Sequence, residues 1–331
     1  MRAYDVFNGD ADGICALLQL RLACPREATH VTGVKRDIAL LQRVPPVSGA
    51  VVTVLDVSLD ANVQPLRRLL ESGGTVSYFD HHSTQHAFRH PHLLLRWDDA
   101  PDVCTSILVD RHLQGRFRKW AVTAAFGDNL SKPAHMLAAM TNMWPRDIES
   151  LEKLGNLLNY NAYGEQIEDL HVAPDTLYRS MSEFADPHDF IDASMYFPAL
   201  EDGFRSDMAR LASLVPDWHA DEGAIYILPN APWARRVSGV FANQLVQQGE
   251  GRSFAVLTES SDGSFVASVR SGRPEQLCAN AFCERFRTGG GRKAAAGINV
   301  LPSSDIDRFA QAFSAHFCAG ALATNGRTHA S

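Results

Sequence analysis

The chain has 331 residues, 45% of them hydrophobic and 21% charged, with a formal net charge of −7. This length and composition fit a globular protein of two domains, and the negative charge argues against a broad basic groove for long nucleic acid. The first residues do not resemble a signal peptide, no apolar run reaches the roughly 18 residues of a membrane span, and the six scattered cysteines fit reduced thiols. We therefore expect a cytoplasmic protein without a membrane segment.

The first 130 residues alternate short apolar strands with amphipathic helices. Strands are predicted at 4–7, 50–57 and 75–79, and helices at 13–23, 62–72 and 104–113. Residues 119–127 fit either a short strand or a buried helix. This alternation is typical of βαβ units, so we predict an α/β domain with a parallel sheet.

The remaining sequence predicts helices over 131–185 and then a second α/β pattern. That pattern comprises strands at 223–228, 253–258 and 264–270 and helices at 233–248, 275–286 and 304–317. The turn ESSDG joins two of these strands and makes the second sheet mixed. We predict a first domain over 1–185, a helical connector over 186–222, a smaller domain over 223–318 and a tail over 319–331.

Aspartates follow the segments that were assigned to the first sheet. They are Asp10 and Asp12 in FNGDADG, Asp56 in VTVLD, Asp80 in YFDHHST and Asp128 in FGDN. Because parallel strands end at one edge of a sheet, these carboxylates should meet there with His81 and His82. Each aspartate alone is commonly a turn or helix-cap residue. Together, however, they repel one another, and no Lys or Arg lies within two residues of any of them.

A bound metal would supply the missing positive charge. Carboxylates with an imidazole and no thiolate suit Mn²⁺, with Mg²⁺ or iron as alternatives, better than structural zinc. Five or six ligands exceed the needs of one ion, so we expect two ions about 3.5–4 Å apart that share a carboxylate, an arrangement suited to displacement at phosphorus. Neighbouring side chains of an extended segment point to opposite sides. One of the two histidines should therefore bind metal while the other faces a substrate phosphate.

In this order, DADG, the Asp of VLD, DHH, the Asp of FGD and the late GGGRKAAAG resemble the DHH phosphoesterase superfamily with its DHH-associated C-terminal domain. The resemblance covers both halves of the chain. It implies a catalytic domain and a substrate-binding domain with the active site in the cleft between them. The implied metal ligands are Asn8 and Asp10 for the first ion, Asp12, His81 and Asp128 for the second, and Asp56 bridging both. The resemblance also implies that His82 contacts the scissile phosphate, that Asp80 orients a histidine, and that both ions assist attack by water.

Three positions depart from the pattern of that superfamily. Val6 stands where many members carry a histidine, and Asn8 stands where RecJ-type members carry an aspartate. The amide oxygen of Asn8 would be a weak ligand, so the first ion should be labile. Arg292 replaces the histidine of the GGGH motif, and its guanidinium suits a phosphate or the edge of guanine. We expect this change to alter substrate preference more than activity.

Residues near the glycine run form the predicted substrate side. The candidates are Arg270, Ser271, Asn280, Gly289, Gly290, Gly291, Arg292 and Lys293. Glycines let backbone N–H groups approach an anion closely, and the adjacent cations add charge. A plain turn for the glycines and a structural role for Asn280 are the alternatives.

The size of the chain narrows the functions that the resemblance implies. It lacks the room and positive charge of RecJ-type exonucleases for long strands, and the membrane and sensor segments of cyclic-dinucleotide enzymes. We expect a metal-dependent phosphodiesterase that hydrolyses short 5′-phosphorylated RNA oligonucleotides, above all dinucleotides such as pGpG, to mononucleotides. The alternatives are an exonuclease on somewhat longer oligonucleotides, a phosphatase on small phosphate esters, or a non-catalytic nucleotide-binding sensor. Superfamily members of this kind are often dimeric, which leaves a homodimer open.

Overall fold

A computed structural model describes residues 2–318 of the chain. The predicted tail over 319–331 lies outside the described residues. The chain divides into two compact units, Met1–Phe204 and Arg205–Ser331. The segment 186–222, which the sequence suggests as a connector, spans this division.

The first unit is built on a five-stranded sheet whose neighbouring strands are all parallel. The strands are β1 (Ala3–Phe7), β2 (Thr29–Val31), β3 (Val51–Leu55), β4 (Thr75–Asp80) and β5 (Leu93–Trp97), in the order β2-β1-β3-β4-β5. The predicted parallel α/β fold is confirmed. The sequence analysis missed β2, which has only three residues, and β5, which has no helix pattern before it.

Nine helices of the described residues belong wholly or mainly to this unit. They are α1 (Ala11–Ala23), α2 (Leu59–Glu71), α3 (Thr105–His112), α4 (Arg118–Gly127), α5 (Ser131–Ala138), α6 (Pro145–Asn161), α7 (Pro174–Met181), α8 (Pro187–Ala193) and α9 (Tyr196–Ala209).

Both faces of the parallel sheet are buried, as the alternation along β1 illustrates. Tyr4 and Val6 pack into the apolar cluster of α2, whereas Phe7 packs into the cluster formed by α1 and its neighbours. Asp5 lies on the same face as Phe7 and is fully buried. Its carboxylate accepts a hydrogen bond of 2.7 Å from Arg21 Nε on α1. The buried charge is therefore paired, as burial requires.

Residues 119–127, which fit a strand or a helix, form the helix α4. Every residue of Trp120–Gly127 is buried, and a continuously apolar segment of this length has no periodicity that separates the two structures. Asp128 therefore follows a helix, not a strand. Gly127 lets α4 approach its neighbours, because a Cβ there would lie 2.5 Å from the Cβ of Ala11 and 2.7 Å from the carbonyl oxygen of Gly155.

The second unit contains a mixed six-stranded sheet in the order β10-β11-β9-β8-β7-β6. Its elements are β6 (Trp218–Ala220), β7 (Gly223–Leu228), α10 (Pro232–Gln248), β8 (Ser253–Glu259), β9 (Phe265–Arg270), α11 (Ala279–Cys283), β10 (Gly289–Gly291), β11 (Ala295–Leu301) and α12 (Ile306–Phe317). Only β7 and β8 pair in parallel. Helices α11 and α12 cover the sheet with a cluster of phenylalanines.

Two local predictions for this unit need correction. The helix predicted over 275–286 is confined to Ala279–Cys283. The glycine run is the edge strand β10, paired with β11, and not an open turn. Glycine is required at Gly289, where a Cβ would lie 1.8 Å from the carbonyl oxygen of Cys283.

Within residues 2–318, no helix has the length and apolar character needed to cross a membrane. All six cysteine thiols are free, as the sequence analysis expected.

Replacing Gly13 with alanine should destabilise the first unit. The new Cβ would lie 2.2 Å from the carbonyl oxygen of Asn8, so the loop that precedes α1 must shift. We expect the free energy of unfolding in urea to fall by about 1–3 kcal/mol. The exposed α6 substitution Asn156→Ala, a gain in helix propensity, should change it by less than about 0.5 kcal/mol. Equal stability of both variants would contradict this account of Gly13.

Candidate active site

The strand order brings the acidic residues to a topological switch point. The order β2-β1-β3-β4-β5 reverses between β1 and β3, and the loops after these strands diverge to leave a crevice at their carboxyl ends. Asp10 and Asp12 follow β1, and Asp56 follows β3 directly. Asp80 ends β4 and is succeeded by the two histidines. The fold thus provides the meeting point that the sequence analysis expected.

Asp10 is the N-cap of α1. One carboxylate oxygen accepts hydrogen bonds of 3.0 and 3.1 Å from the backbone N–H groups of Asp12 and Gly13, while the other is paired with the ammonium of Lys35. Burial by itself would raise the pKa of Asp10, but the charge and hydrogen bond of Lys35 hold it below its ordinary value. The helix-cap interpretation and the cluster interpretation are therefore both true of this residue.

Asp12 joins the first turn of α1 to the start of α3. Its two carboxylate oxygens accept hydrogen bonds of 2.7 Å each from the backbone N–H groups of Thr105 and Ser106. These donors begin α3 and would otherwise lack partners within the helix. Burial, followed by the charge of Asp56, raises the pKa of Asp12 to about 6.

Asp56 adopts the left-handed conformation, with φ of 57°. Aspartate tolerates this region better than most residues, and the conformation turns the chain directly after β3. The carboxylate is buried, and Thr105 Oγ1 donates a hydrogen bond of 3.4 Å to it. Burial and the charge of Asp10 raise its pKa, so the ionised carboxylate is costly at this position unless a cation lies beside it.

His81 lies among three carboxylates. Its Nε2 is 3.4 Å from Asp56 Oδ1, 3.9 Å from Asp12 Oδ2 and 4.0 Å from Asp128 Oδ2. Burial alone would lower the pKa of His81, but the hydrogen bond and charge of Asp56, with the other carboxylates, raise it to about 10. At Asp128, a carboxylate, burial instead raises the pKa.

This arrangement fits a divalent ion. Ligand atoms that each lie about 2.0–2.2 Å from one ion are themselves separated by about 3–4 Å, which is the range seen around His81 Nε2. Oxygen donors with one imidazole suit manganese or magnesium. Asp12, Asp56, His81 and Asp128 are therefore the residues that would hold the ion.

His82 is held differently from its neighbour. Its Nδ1 lies 2.7 Å from Asp80 Oδ1, and its carbonyl oxygen accepts a hydrogen bond of 2.7 Å from Trp97 Nε1. Asp80 also accepts hydrogen bonds from the backbone N–H groups of both histidines. Burial would lower the pKa of His82, but these carboxylate contacts raise it. The side chain is 40% exposed, and in its protonated form the ring can donate its Nε2–H to a bound anion.

Both histidines lie near enough to Asp56 to share an ion with it. Asp56, His81 and His82 each present a ligand atom, and these atoms lie within 4.8 Å of one another. The hydrogen bond between Asp80 and Nδ1 of His82 occupies one ring nitrogen of that histidine. His81, whose Nε2 faces the carboxylates, is the better ligand.

Lys35 also belongs to this cluster, although the sequence analysis did not identify it. It follows β2, and its Nζ is paired with Asp10, donates 2.9 Å to Asn159 Oδ1 and lies 3.8 Å from Asp128 Oδ1. Lys35 lies more than two residues from every aspartate of the cluster, so the residues next to those aspartates do not reveal it. The sequence signal for Lys35 is a basic residue in the loop after a strand of the same sheet. That strand is β2, which the sequence pattern does not predict.

Asn8 also lies in this cluster, close to Asp10. Its Oδ1 accepts a hydrogen bond of 3.3 Å from the backbone N–H of Asp10, and its Nδ2 donates 3.1 Å to the carbonyl oxygen of Lys35. Both polar atoms of the amide therefore have protein partners.

Several of the predicted substrate-binding residues have hydrogen-bond partners within the second unit. Arg270, at the end of β9, donates 2.6 Å from Nε to Asn243 Oδ1. Ser271 is buried, and its Oγ accepts a hydrogen bond of 3.2 Å from the N–H of Arg273. Asn280 donates 2.8 Å to Glu284 one turn further along.

The residues that follow the glycine strand are more exposed. Arg292 and Lys293 lie in the turn between β10 and β11, where the Arg292 N–H donates 2.8 Å to the carbonyl oxygen of Ala295. Lys293 forms an exposed ion pair of 2.8 Å with Glu275. A Cβ at Gly290 would meet nothing within 4 Å, so the space on that side of the strand is open.

No family model matches the chain, and no curated protein matches it. Among solved structures, the exonuclease RecJ bound to manganese is similar over 96% of this chain and 90% of that chain, with a TM-score of 0.58 and 16% identity. RecJ in complex with Mn²⁺ from Thermus thermophilus is similar over 96% of this chain and 52% of that chain, with a TM-score of 0.54 and 16% identity.

The pGpG-specific phosphodiesterase PggH from Vibrio cholerae is similar over 96% of this chain and 99% of that chain, with a TM-score of 0.53 and 14% identity. The chain therefore has the fold of RecJ and PggH. The fold implied by the resemblance to DHH phosphoesterases is confirmed.

Divalent-ion affinity should increase with pH because the ion competes with a proton. A ligand imidazole must be neutral, whereas the raised pKa of about 10 keeps His81 charged in the metal-free protein at neutral pH. We expect Mn²⁺ affinity, measured by anaerobic calorimetry, to rise roughly tenfold per pH unit between about pH 7 and about pH 9. His81→Ala should weaken binding and flatten the slope. His86→Ala, which removes an exposed histidine paired with Asp60, should preserve it. A flat profile for the unmodified chain would refute the competition.

Proposed function

We propose that this chain is a Mn²⁺-dependent phosphodiesterase that hydrolyses short 5′-phosphorylated oligoribonucleotides to mononucleotides. Its preferred substrates in this proposal are dinucleotides such as pGpG. The observation that carries the proposal is the position of His81 Nε2, between 3.4 and 4.0 Å from three carboxylates at the carboxyl edge of a parallel sheet. His82 lies beside His81, and its Nδ1 is 2.7 Å from Asp80 Oδ1.

The chemistry of these residues suits displacement at phosphorus. A divalent ion held by Asp12, Asp56, His81 and Asp128 would supply a polarised water and charge stabilisation at the phosphate. His82, oriented by Asp80, would in its protonated form donate a hydrogen bond to a phosphate oxygen and stabilise its developing charge. The Asp80 carboxylate holds the His82 ring in place and is a positioning residue.

The length of the substrate is argued from charge and from the second unit. The net charge of −7 does not favour a long polyanion. The β10–β11 turn presents Arg292, which can bind a phosphate or a guanine edge in bidentate fashion. Similarity to PggH over 99% of that chain supports the dinucleotide. Similarity to RecJ over 90% of one such chain favours, as the second candidate, an exonuclease on somewhat longer oligonucleotides.

The decisive assay uses 5′-phosphorylated RNAs of every length from the dinucleotide to the heptanucleotide, incubated with Mn²⁺ and resolved over time. We expect rapid conversion of the dinucleotide and little change in longer RNAs, with pGpG cleaved faster than pApA. Asp56→Asn should lower the rate more than about 100-fold by removing a metal ligand, while asparagine still tolerates the left-handed backbone.

The matched control is Asp60→Asn, which removes one carboxylate that is exposed and paired with His86, and which should retain full activity. Stepwise shortening of every RNA would replace the dinucleotidase by the exonuclease. Absence of cleavage at every length, with Mn²⁺ still bound, would refute the proposal and direct attention to small phosphate esters and to a nucleotide sensor.

A further inference from the structure

The two-ion arrangement expected from the sequence requires a first ion held by Asn8, Asp10 and Asp56. At that position Asn8 and the two carboxylate oxygens of Asp10 already have partners within the protein. One oxygen of Asp10 caps α1, and its other oxygen is paired with the Lys35 ammonium. Any ion that approached this second oxygen would meet a positive charge already in contact with it.

Asn8 contributes to this arrangement through both ends of its amide. Its Nδ2 donates to the carbonyl oxygen of Lys35, and its Oδ1 accepts from the N–H of Asp10. An aspartate at this position could accept the second hydrogen bond but could not donate the first. The amide is thus matched to the lysine: it joins the Lys35 backbone to the loop that carries Asp10.

The position of Lys35 is fixed at three further points. Its backbone N–H donates 2.9 Å to the carbonyl oxygen of Ala162, just beyond α6. Its Nζ donates 2.9 Å to Asn159 Oδ1 and lies 5.8 Å from the centre of the Tyr163 ring. The side chain is only 23% exposed. An ammonium with so many defined contacts is a built part of the cluster, unlike a solvated surface lysine.

We propose that the Lys35 ammonium replaces the first metal ion, so that this active site carries a single divalent ion, held on the side of His81. Asn8 is then a positioning residue for Lys35 and not a metal ligand. The carboxylates of Asp10 and Asp128 lie beside the Lys35 ammonium and favour its charged form. The positive charge is therefore permanent, and it neutralises Asp10 as an ion would.

This inference deepens the proposed function, on which its catalytic meaning rests, but its test needs no substrate. The number of Mn²⁺ ions per chain is measured by equilibrium dialysis with elemental analysis, and the ions are examined by electron paramagnetic resonance. We expect the unmodified chain to bind one ion with the resolved hyperfine pattern of isolated Mn²⁺. Asn8→Asp combined with Lys35→Ala removes the ammonium and supplies a carboxylate, and should bind two ions with the broadened spectrum of a coupled pair.

The control for loss of a lysine is Lys132→Ala, which removes an exposed lysine at the start of α5 and should still bind one ion. Two ions of comparable affinity in the unmodified chain would overturn the proposal, and so would a single ion in a folded double variant. If the double variant does not fold, the count in the unmodified chain decides alone. Because no turnover is measured, an inactive protein that binds one ion would contradict the proposed function and leave this inference intact.

Discussion

Mutual repulsion of buried carboxylates is the constraint on which the rest of this site depends. The reversal of strand order between β1 and β3 collects Asp10, Asp12 and Asp56 in one crevice, and α4 adds Asp128 from the side. Burial raises the pKa of three of these four groups, so their charged forms are costly unless cations neutralise them. The exception is Asp10, whose neighbour is Lys35.

The structure answers this repulsion by two different means. Near Asp10, a lysine from the loop after β2 provides a charge that belongs to the protein. Near Asp56, the raised pKa of His81 shows that a proton provides the charge when no ion is bound. A divalent ion attracted by the same carboxylates competes with this proton for the imidazole of His81. The same electrostatics thus accounts for a permanent cation on one side and an exchangeable one on the other.

Much of the site could be predicted from the sequence because aspartates after strands mark an edge that parallel topology creates. Asp56 and Asp80 needed only a correct assignment of β3 and β4. Asp128 also lies near His81, but it follows the helix α4, so the argument from strand ends does not account for it and the resemblance of FGDN is what indicates it. Lys35 could not be found this way, because the strand before it, β2, has only three residues. Its position beside Asp10 also depends on contacts with Asn159 on α6 and with Ala162, the residue after that helix. For the glycine run the sequence offers a plain turn as the alternative to an anion site, because glycine usually signals a turn, whereas pairing with β11 makes it a strand.

We infer that the carboxylates at the switch point bind a divalent ion together with His81, while Lys35 neutralises Asp10. Anomalous diffraction at the manganese edge, from crystals grown with Mn²⁺, tests it most directly. The account predicts one anomalous peak per chain, in contact with His81, Asp56, Asp12 and Asp128, with Lys35 Nζ still on Asp10. A peak beside Asp10 with Lys35 displaced, or no peak near His81, would contradict it.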